Sequence, residues 1–313
     1  MTLNPATRDE LPARPRSALG GRQSAIEARQ SHSTGRVISA DGTTIGYRQL
    51  GQGPGVVLFH GSMSSGYNHL ELAESLADSF TVYLPDRRGR GLSGPYRDGD
   101  DLQTEVDDLK ALLDSTGARR VFGLSSGAII CLQAALTVSG IDKAAIYEPP
   151  LFTDDTVPKA VLHRFDAEMA RGKVAAALIT GMKATQMGPA VFRVMPRRLL
   201  EALTNRFMVS EEKKGSGEYA PMRTLAGTLH YDFKMVVQAS GKLRDFGGIE
   251  TEVLLLGGST SPAFLRKALD ELGNILPHAQ RLELRGVGHA ASWNTDRGGQ
   301  PKLVADALRE FFS

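Results

Sequence analysis

A chain of 313 residues carrying 37 basic and 35 acidic side chains, a net charge of +2, offers no global positive field to a nucleic acid, and it can bury a full core. Its single cysteine, Cys131, excludes an internal disulfide and a cysteine-built metal centre, and in the apolar run Ala128 to Leu136 it reads as a small core hydrophobe. No stretch approaches the roughly 18 apolar residues of a membrane helix, so a soluble, cytoplasmic protein with neither membrane nor nucleic-acid partner is expected.

Residues 1–35 are rich in Arg, Pro, Ser and Gln and poor in aliphatics, and read as a flexible N-terminal tail. Asp9, Glu10 and Glu27 speak against a transit peptide. From Arg36 the pattern changes. "RVISADGTTIGYRQLG" predicts a hairpin turning at Asp41-Gly42. The short apolar runs "GVVLFHG", "FTVYLPD", "RRVFGLS", "KAAIYEPP", "TEVLLLGG" and "QRLELRG" predict strands buried on both faces. Between them, "LELAESLAD" and "LQTEVDDLKALLDSTG" have helical periodicity, the second ending at Gly117. Strands alternating with helices predict an α/β fold, a mostly parallel sheet covered on both sides, with chemistry at the carboxyl ends of the strands.

One interval breaks the alternation. Residues 151–245 contain no strand pattern; "KAVLHRFDAEMARGKVAAALIT" and "PRRLLEALTNRFM" are helical and "EEKKGSGE" is a charged loop. The interval reads as a helical lid inserted into a core of residues 36–150 and 246–313. Met169, Met182, Met187, Met195, Met208, Met222 and Met235 fall within it. Ordinary helix packing accounts for them, and some could instead line a pocket for a bulky apolar ligand.

The pentapeptide Gly123-Leu124-Ser125-Ser126-Gly127 matches G-x-S-x-G between an apolar strand and an apolar helix, the context that motif requires. A serine on that tight turn is lifted above the sheet, and flanking glycines remove side chains that would clash there. Ser125 is the candidate nucleophile, and the backbone N–H of Ser126 a candidate oxyanion donor. A second donor is expected from "HGSM", where either Gly61 or Ser62 could supply it. His60 reads as a positioning residue. A serine hydroxyl needs a base, and His289 in "LRGVGHAASW", after the last strand and before the C-terminal helix, is the histidine placed to reach the active end of the sheet.

These motifs together, "HGSM", "PDRRGRGLSG", "GLSSGA" and "GVGHA" in that order, resemble the α/β-hydrolase superfamily over about Val37 to Phe312. The resemblance implies structural roles for Asp86 and Arg88. It also implies an orienting acid after "EVLLLGG", but Gly257 to Pro262 hold no carboxylate. Glu148, at the end of "AAIYEPP", is the favoured replacement, with Asp154, Asp155 and Asp232 as alternatives. Some members of the superfamily, including zearalenone-type lactonases, resemble this chain in carrying the acid after that strand.

The expectation is a serine hydrolase opening an apolar, polyketide-like ester or lactone through an acyl-serine, with Ser125, His289 and Glu148 as triad and no metal or organic cofactor. C–C bond hydrolase, thioesterase, perhydrolase and slow-turnover ligand receptor are the competing readings. A serine nucleophile counts against epoxide hydrolysis and dehalogenation. An apolar lid face is compatible with a homo-oligomer.

Overall fold

The computed structural model describes residues 32–186, 188, 191–215 and 217–313. Residues 1–31, most of the N-terminal tail read from the sequence, lie outside that range, as does Met187. The first strand begins at Ser33, two residues before the sequence boundary at 35.

Eight strands form one sheet: β1 (Ser33–Ile38), β2 (Thr44–Leu50), β3 (Gly55–Phe59), β4 (Thr81–Pro85), β5 (Arg120–Leu124), β6 (Lys143–Tyr147), β7 (Glu252–Gly258) and β8 (Ala279–Leu284). Their spatial order is β1-β2-β4-β3-β5-β6-β7-β8. β2 runs antiparallel to β1 and to β4, whereas β4 through β8 are parallel. The β1–β2 turn contains Gly42 at φ 84°, a left-handed position that costs glycine nothing.

The central strands alternate their side chains between two cores, as a period of two requires. Val57, Phe59, Val121, Ile146 and Leu255 face one side, where they meet α2 (Leu102–Thr116), α3 (Ser126–Thr137) and α9 (Ala263–Ile275). Val56, Leu58, Phe122, Leu124, Tyr147 and Leu256 face the other, against α1 (Leu70–Leu76) and α10 (Pro301–Phe312). This double burial is why the strands read as continuous apolar runs. Helix ends follow local chemistry: the Asp101 side chain accepts the Thr104 N–H at the start of α2, and Gly117 at φ 69° ends it.

Between β6 and β7 lie α4 (Thr156–Ala170), α5 (Val174–Ala184), α6 (Val191–Val194), α7 (Arg197–Lys214) and α8 (Met222–Ala239). The helix expected in one piece from Lys159 to Thr180 breaks at Gly172, φ 69°. Helix α7 continues through Lys214, where the charged composition suggested loop. Phe165, Leu178, Met208 and Leu229 tie the insertion together in an apolar cluster of its own. Met208 and Met235 are buried in helix packing, and Met182 and Met222 line the cavity described below. Among the described residues no helix is long and apolar enough to cross a membrane, and no group of three or more His, Cys, Asp or Glu could hold a metal. Cys131 is buried in the first core, where desolvation pushes its thiol pKa up.

Candidate active site

Loops from β3, β5, β6, β7 and β8 converge at the carboxyl edge of the sheet. The turn after β5 carries Ser125 at φ 57°, ψ −121°, a conformation that non-glycine residues rarely occupy. Its N–H is held by the Tyr147 carbonyl at 2.9 Å. The flanking glycines are explained by close approach: a Cβ on Gly123 would lie 2.5 Å from the Gly127 carbonyl oxygen, and one on Gly127 2.5 Å from the carbonyl oxygens of Phe59 and His60. Ser126 then opens α3, and the first N–H groups of a helix have no partner within it.

Glu148 follows β6, also at positive φ (48°) and fully buried. Its two oxygens have separate tasks. Oε1 accepts the Gly258 N–H at 2.6 Å, and Oε2 lies 2.7 Å from His289 Nδ1. An ionised carboxylate only accepts, so Nδ1 carries the proton and Nε2 is left as the basic nitrogen. Gly257 makes room for the carboxylate, since a Cβ there would stand 3.1 Å from Oε1 and 2.7 Å from Leu269 Cδ1. The loop bearing the ring is anchored as well: Tyr147 donates its hydroxyl to the Gly288 carbonyl at 2.9 Å, and Thr260 donates to the Val287 carbonyl at 2.8 Å. Gly258 allows this approach, because its Cβ would be 2.3 Å from the Val287 carbonyl oxygen.

Ser125 and His289 line one cavity. Among the described residues no hydrogen bond joins the Ser125 hydroxyl to the ring. Such contacts are commonly long before substrate binds. The other candidate acids lie elsewhere. Asp154 receives the Thr156 N–H at 2.8 Å, Asp155 pairs with Lys159, and Asp232 is buried against Arg87 and Arg90. Ser261 Oγ is buried and unpaired, so it does not stand in for the missing late-loop carboxylate.

The loop after β3 is held from behind. The buried His60 ring donates from Nδ1 to the Gly61 carbonyl at 2.8 Å and accepts the Arg87 N–H on Nε2 at 3.0 Å. Burial, reinforced by Arg90 and Arg87, keeps its pKa well below the usual histidine value, so the ring is neutral. Ser64 Oγ donates to the same Gly61 carbonyl at 2.9 Å. In a trans peptide the next N–H points opposite to that carbonyl, so the Ser62 N–H is turned away from His60. Gly61 itself lies flat against the elbow, where a Cβ would be 2.9 Å from Ser125 Cβ. Asp86 and Arg88 are buried in the scaffold: Asp86 receives the Gly66 and Leu92 N–H groups, and Arg88 pairs with Asp41, Asp100 and Asp108.

The cavity measures about 870 Å³. Leu178, Ile179 and Met182 of α5, Leu200 and Phe207 of α7, and Leu229 and Phe233 of α8 form much of its wall. Phe192, Phe207, Phe233, Phe264 and Trp293 also converge on it. They lie on separate elements with no shared spacing that a linear reading could detect. Among the described lining residues none is Lys, Arg, Asp or Glu.

A twisted, mostly parallel sheet with a serine elbow after its fifth strand and a histidine loop after its eighth defines the α/β-hydrolase class. The chain belongs to the alpha/beta hydrolase family, whose model matches residues 56–307. A solved alpha/beta hydrolase from Sphaerobacter thermophilus is 32% identical, with 89% of this chain and 100% of that one covered at a TM-score of 0.70. A pimeloyl-[acyl-carrier protein] methyl ester esterase from Xanthomonas oryzae pv. oryzae is 26% identical over 268 residues, 84% of this chain and 96% of that protein. A cis-3-alkyl-4-alkyloxetan-2-one decarboxylase from Shewanella oneidensis is 38% identical, but the chain spans only 27% of its length and the match 26% of this chain. The enol-lactonase of Burkholderia xenovorans shares the fold at a TM-score of 0.63 and 17% identity, over 89% of this chain and 99% of that one.

Proposed function

We propose that this hydrolase cleaves an uncharged, apolar carboxylic ester or lactone through an acyl-serine intermediate, with Ser125 as nucleophile, His289 as general base and Glu148 as the orienting acid. The observation that carries the reading is the 2.7 Å contact between Glu148 Oε2 and His289 Nδ1, on a ring that shares a cavity wall with Ser125. Glu148 fixes the tautomer in which Nε2 can take a proton and stabilises the imidazolium that results. Ser125 Oγ adds to the carbonyl carbon as its proton moves to Nε2. The N–H groups of Ser126 and Ser62 hold the oxyanion; Ser62 is favoured over Gly61 because of the pinned Gly61 carbonyl. Collapse expels the alkoxide, which receives the proton from His289. A water then attacks the acyl-serine as it gives one proton to Nε2; the acyl–Oγ bond breaks, Ser125 takes that proton from His289, and the acid is freed. With a lactone the alkoxide and acid belong to one product, a hydroxy acid.

The cavity speaks for the substrate class. Burying a carboxylate or phosphate without a compensating cation costs several kcal/mol, and none lies among the described lining residues, which favours a bound molecule that is neutral apart from its reacting group. A volume of about 870 Å³ suits a bulky acyl or macrocyclic compound. The helices between β6 and β7 act as its lid. The resemblance to the Xanthomonas esterase favours ester chemistry, and the Glu148 position favours the lactonase comparison made from the sequence. The test is acid release from a panel of p-nitrophenyl esters and macrolactones, with Ser125→Ala as control. Turnover surviving in that variant would overturn the assignment.

A further inference from the structure

Asp232, one of the alternative acids in the sequence, lies away from His289 and meets the other side of the elbow. Its Oδ1 accepts the Ser126 hydroxyl at 2.8 Å and Arg87 Nη1 at 2.8 Å, and its Oδ2 accepts Arg90 Nη2 at 2.6 Å. Arg87 Nη1 also donates to Ser126 Oγ at 3.1 Å, while its Nε and Nη2 grip Glu105 of α2 at 2.7 to 3.2 Å. Ser62 Oγ lies 3.2 Å from Ser126 Oγ. The only hydroxyl proton of Ser126 goes to Asp232 and one lone pair to Arg87, so Ser62 is the donor in that last contact. The Ser126 hydroxyl is thereby saturated, with one bond given and two received.

We propose that Asp232 is a positioning residue of the oxyanion hole, which through the Ser126 hydroxyl and then the Ser62 hydroxyl holds in register the two peptides whose N–H groups receive the negative charge. This rests on the serine-hydrolase reading above. The physical need comes from the elbow. A non-glycine residue at φ 57° is strained and persists only where its surroundings fix it. Ser126 directly follows that residue, and its side chain is bound to three groups that are 1% exposed or less or lie in the oxyanion loop. Helix α8, which carries Asp232, is itself clamped to the loop after β4. Tyr231 stacks on Tyr96 with ring centres 3.7 Å apart, and Lys234 donates to the Asp100 carbonyl at 2.7 Å. Arg87 and Arg90 against Glu105 and Asp232 make a charge-balanced cluster, which lets the carboxylate stay ionised without exerting an unpaired field on the nearby oxyanion.

Ser126→Ala removes the hydroxyl but leaves the Arg87–Asp232 and Arg90–Asp232 pairs, so it is the primary variant. Its kcat on a p-nitrophenyl ester should fall by roughly 10- to 100-fold with KM within about twofold, a part of the roughly 10²–10³ that one oxyanion donor supplies. The rate of phosphonylation of Ser125 by an alkyl fluorophosphonate should fall by the same factor, in a protein that still melts cooperatively at a modestly lower temperature. Asp232→Asn should give a similar loss, and the double variant little more than either single change, because all act through one chain. If Asp232→Asn does not fold, the Ser126→Ala rates decide alone. Kinetic constants and labelling rates within twofold of wild type in Ser126→Ala, a change confined to KM, or fully multiplicative losses in the double variant would each overturn the proposal. Failure of the parent reading looks different: the wild-type protein itself would resist the fluorophosphonate, or Ser125→Ala would keep hydrolysing.

Discussion

Replacing Glu148 with Gln removes one charge and almost no volume, and its consequence can be worked through atom by atom. Two polar neighbours compete for the side chain. Gly258 N–H donates to Oε1 at 2.6 Å, and the His289 Nδ1 proton points at Oε2 at 2.7 Å. A carboxylate accepts both, whereas an amide has one acceptor and one donor. If the amide oxygen keeps the Gly258 bond, its NH₂ faces Nδ1 and drives the proton to Nε2, the nitrogen that in the proposed mechanism accepts it from Ser125. If the amide turns round, NH₂ opposes the Gly258 N–H in a site with no solvent. The charge itself also matters, since an imidazolium about 4 Å from a carboxylate gains about 4 kcal/mol at an effective dielectric near 20, or about 10³ in rate. The tautomer penalty adds to this, and in serine proteases the corresponding Asp-to-Asn change costs about 10⁴ in kcat. Glu148→Gln should therefore lower kcat by about 10³ to 10⁴ on a chromogenic ester, with the fold preserved by circular dichroism and thermal melting. Ser261→Ala, which alters an unpaired hydroxyl, should stay within about twofold. A loss below tenfold in a folded Glu148→Gln protein, or equal losses in both variants, would refute the assignment of the acid.

Ser125→Ala should abolish turnover and fluorophosphonate labelling while leaving the melting curve in place, read by mass spectrometry of the intact chain. Gly61→Ala would put a methyl 2.9 Å from both Ser125 Cβ and the Leu124 carbonyl oxygen, so kcat should drop at least about a hundredfold as an oxyanion donor is displaced. The control is Gly227→Ala in α8, where nothing lies within 4 Å; it should leave activity unchanged and add about 0.5–1 kcal/mol of stability in urea melts. Stability should fall with acid. Burial depresses the His69 pKa to about 4, so between pH 6.5 and 4 the unfolded ring binds a proton that the folded ring refuses. Stability present above pH 6.5 is thus lost progressively toward pH 4, by about 3 kcal/mol for this ring, and the buried His60 acts in the same direction. Denaturant melts of wild type and His69→Leu across that range should show a shallower slope in the variant; equal slopes would exclude His69 as the cause.

Much of this protein is legible in the amino-acid order because its signals are local. Each strand buried on both faces must be apolar at every position, so β3 through β7 are visible as uninterrupted runs such as "VVLF" and "AAIY". The serine elbow is equally legible, because the turn excludes side chains at Gly123 and Gly127, and steric exclusion is written directly as glycine. Tertiary structure decided what depends on residues far apart in the chain. Only the pairing of β6 with β7 puts Glu148 against Gly258, and only the return of the chain after β8 brings His289 to it across 141 positions. The same holds for Asp232, which composition could offer only as another carboxylate. Its place beside Ser126, 106 residues earlier, comes from the docking of α8 on the loop after β4. The apolar cavity likewise gathers Phe192, Phe207, Phe233, Phe264 and Trp293 from elements with no common period. Local sterics and burial act on neighbours in sequence and leave a pattern there, whereas hydrogen-bond partners and cavity walls are chosen by proximity in space, which the fold alone creates.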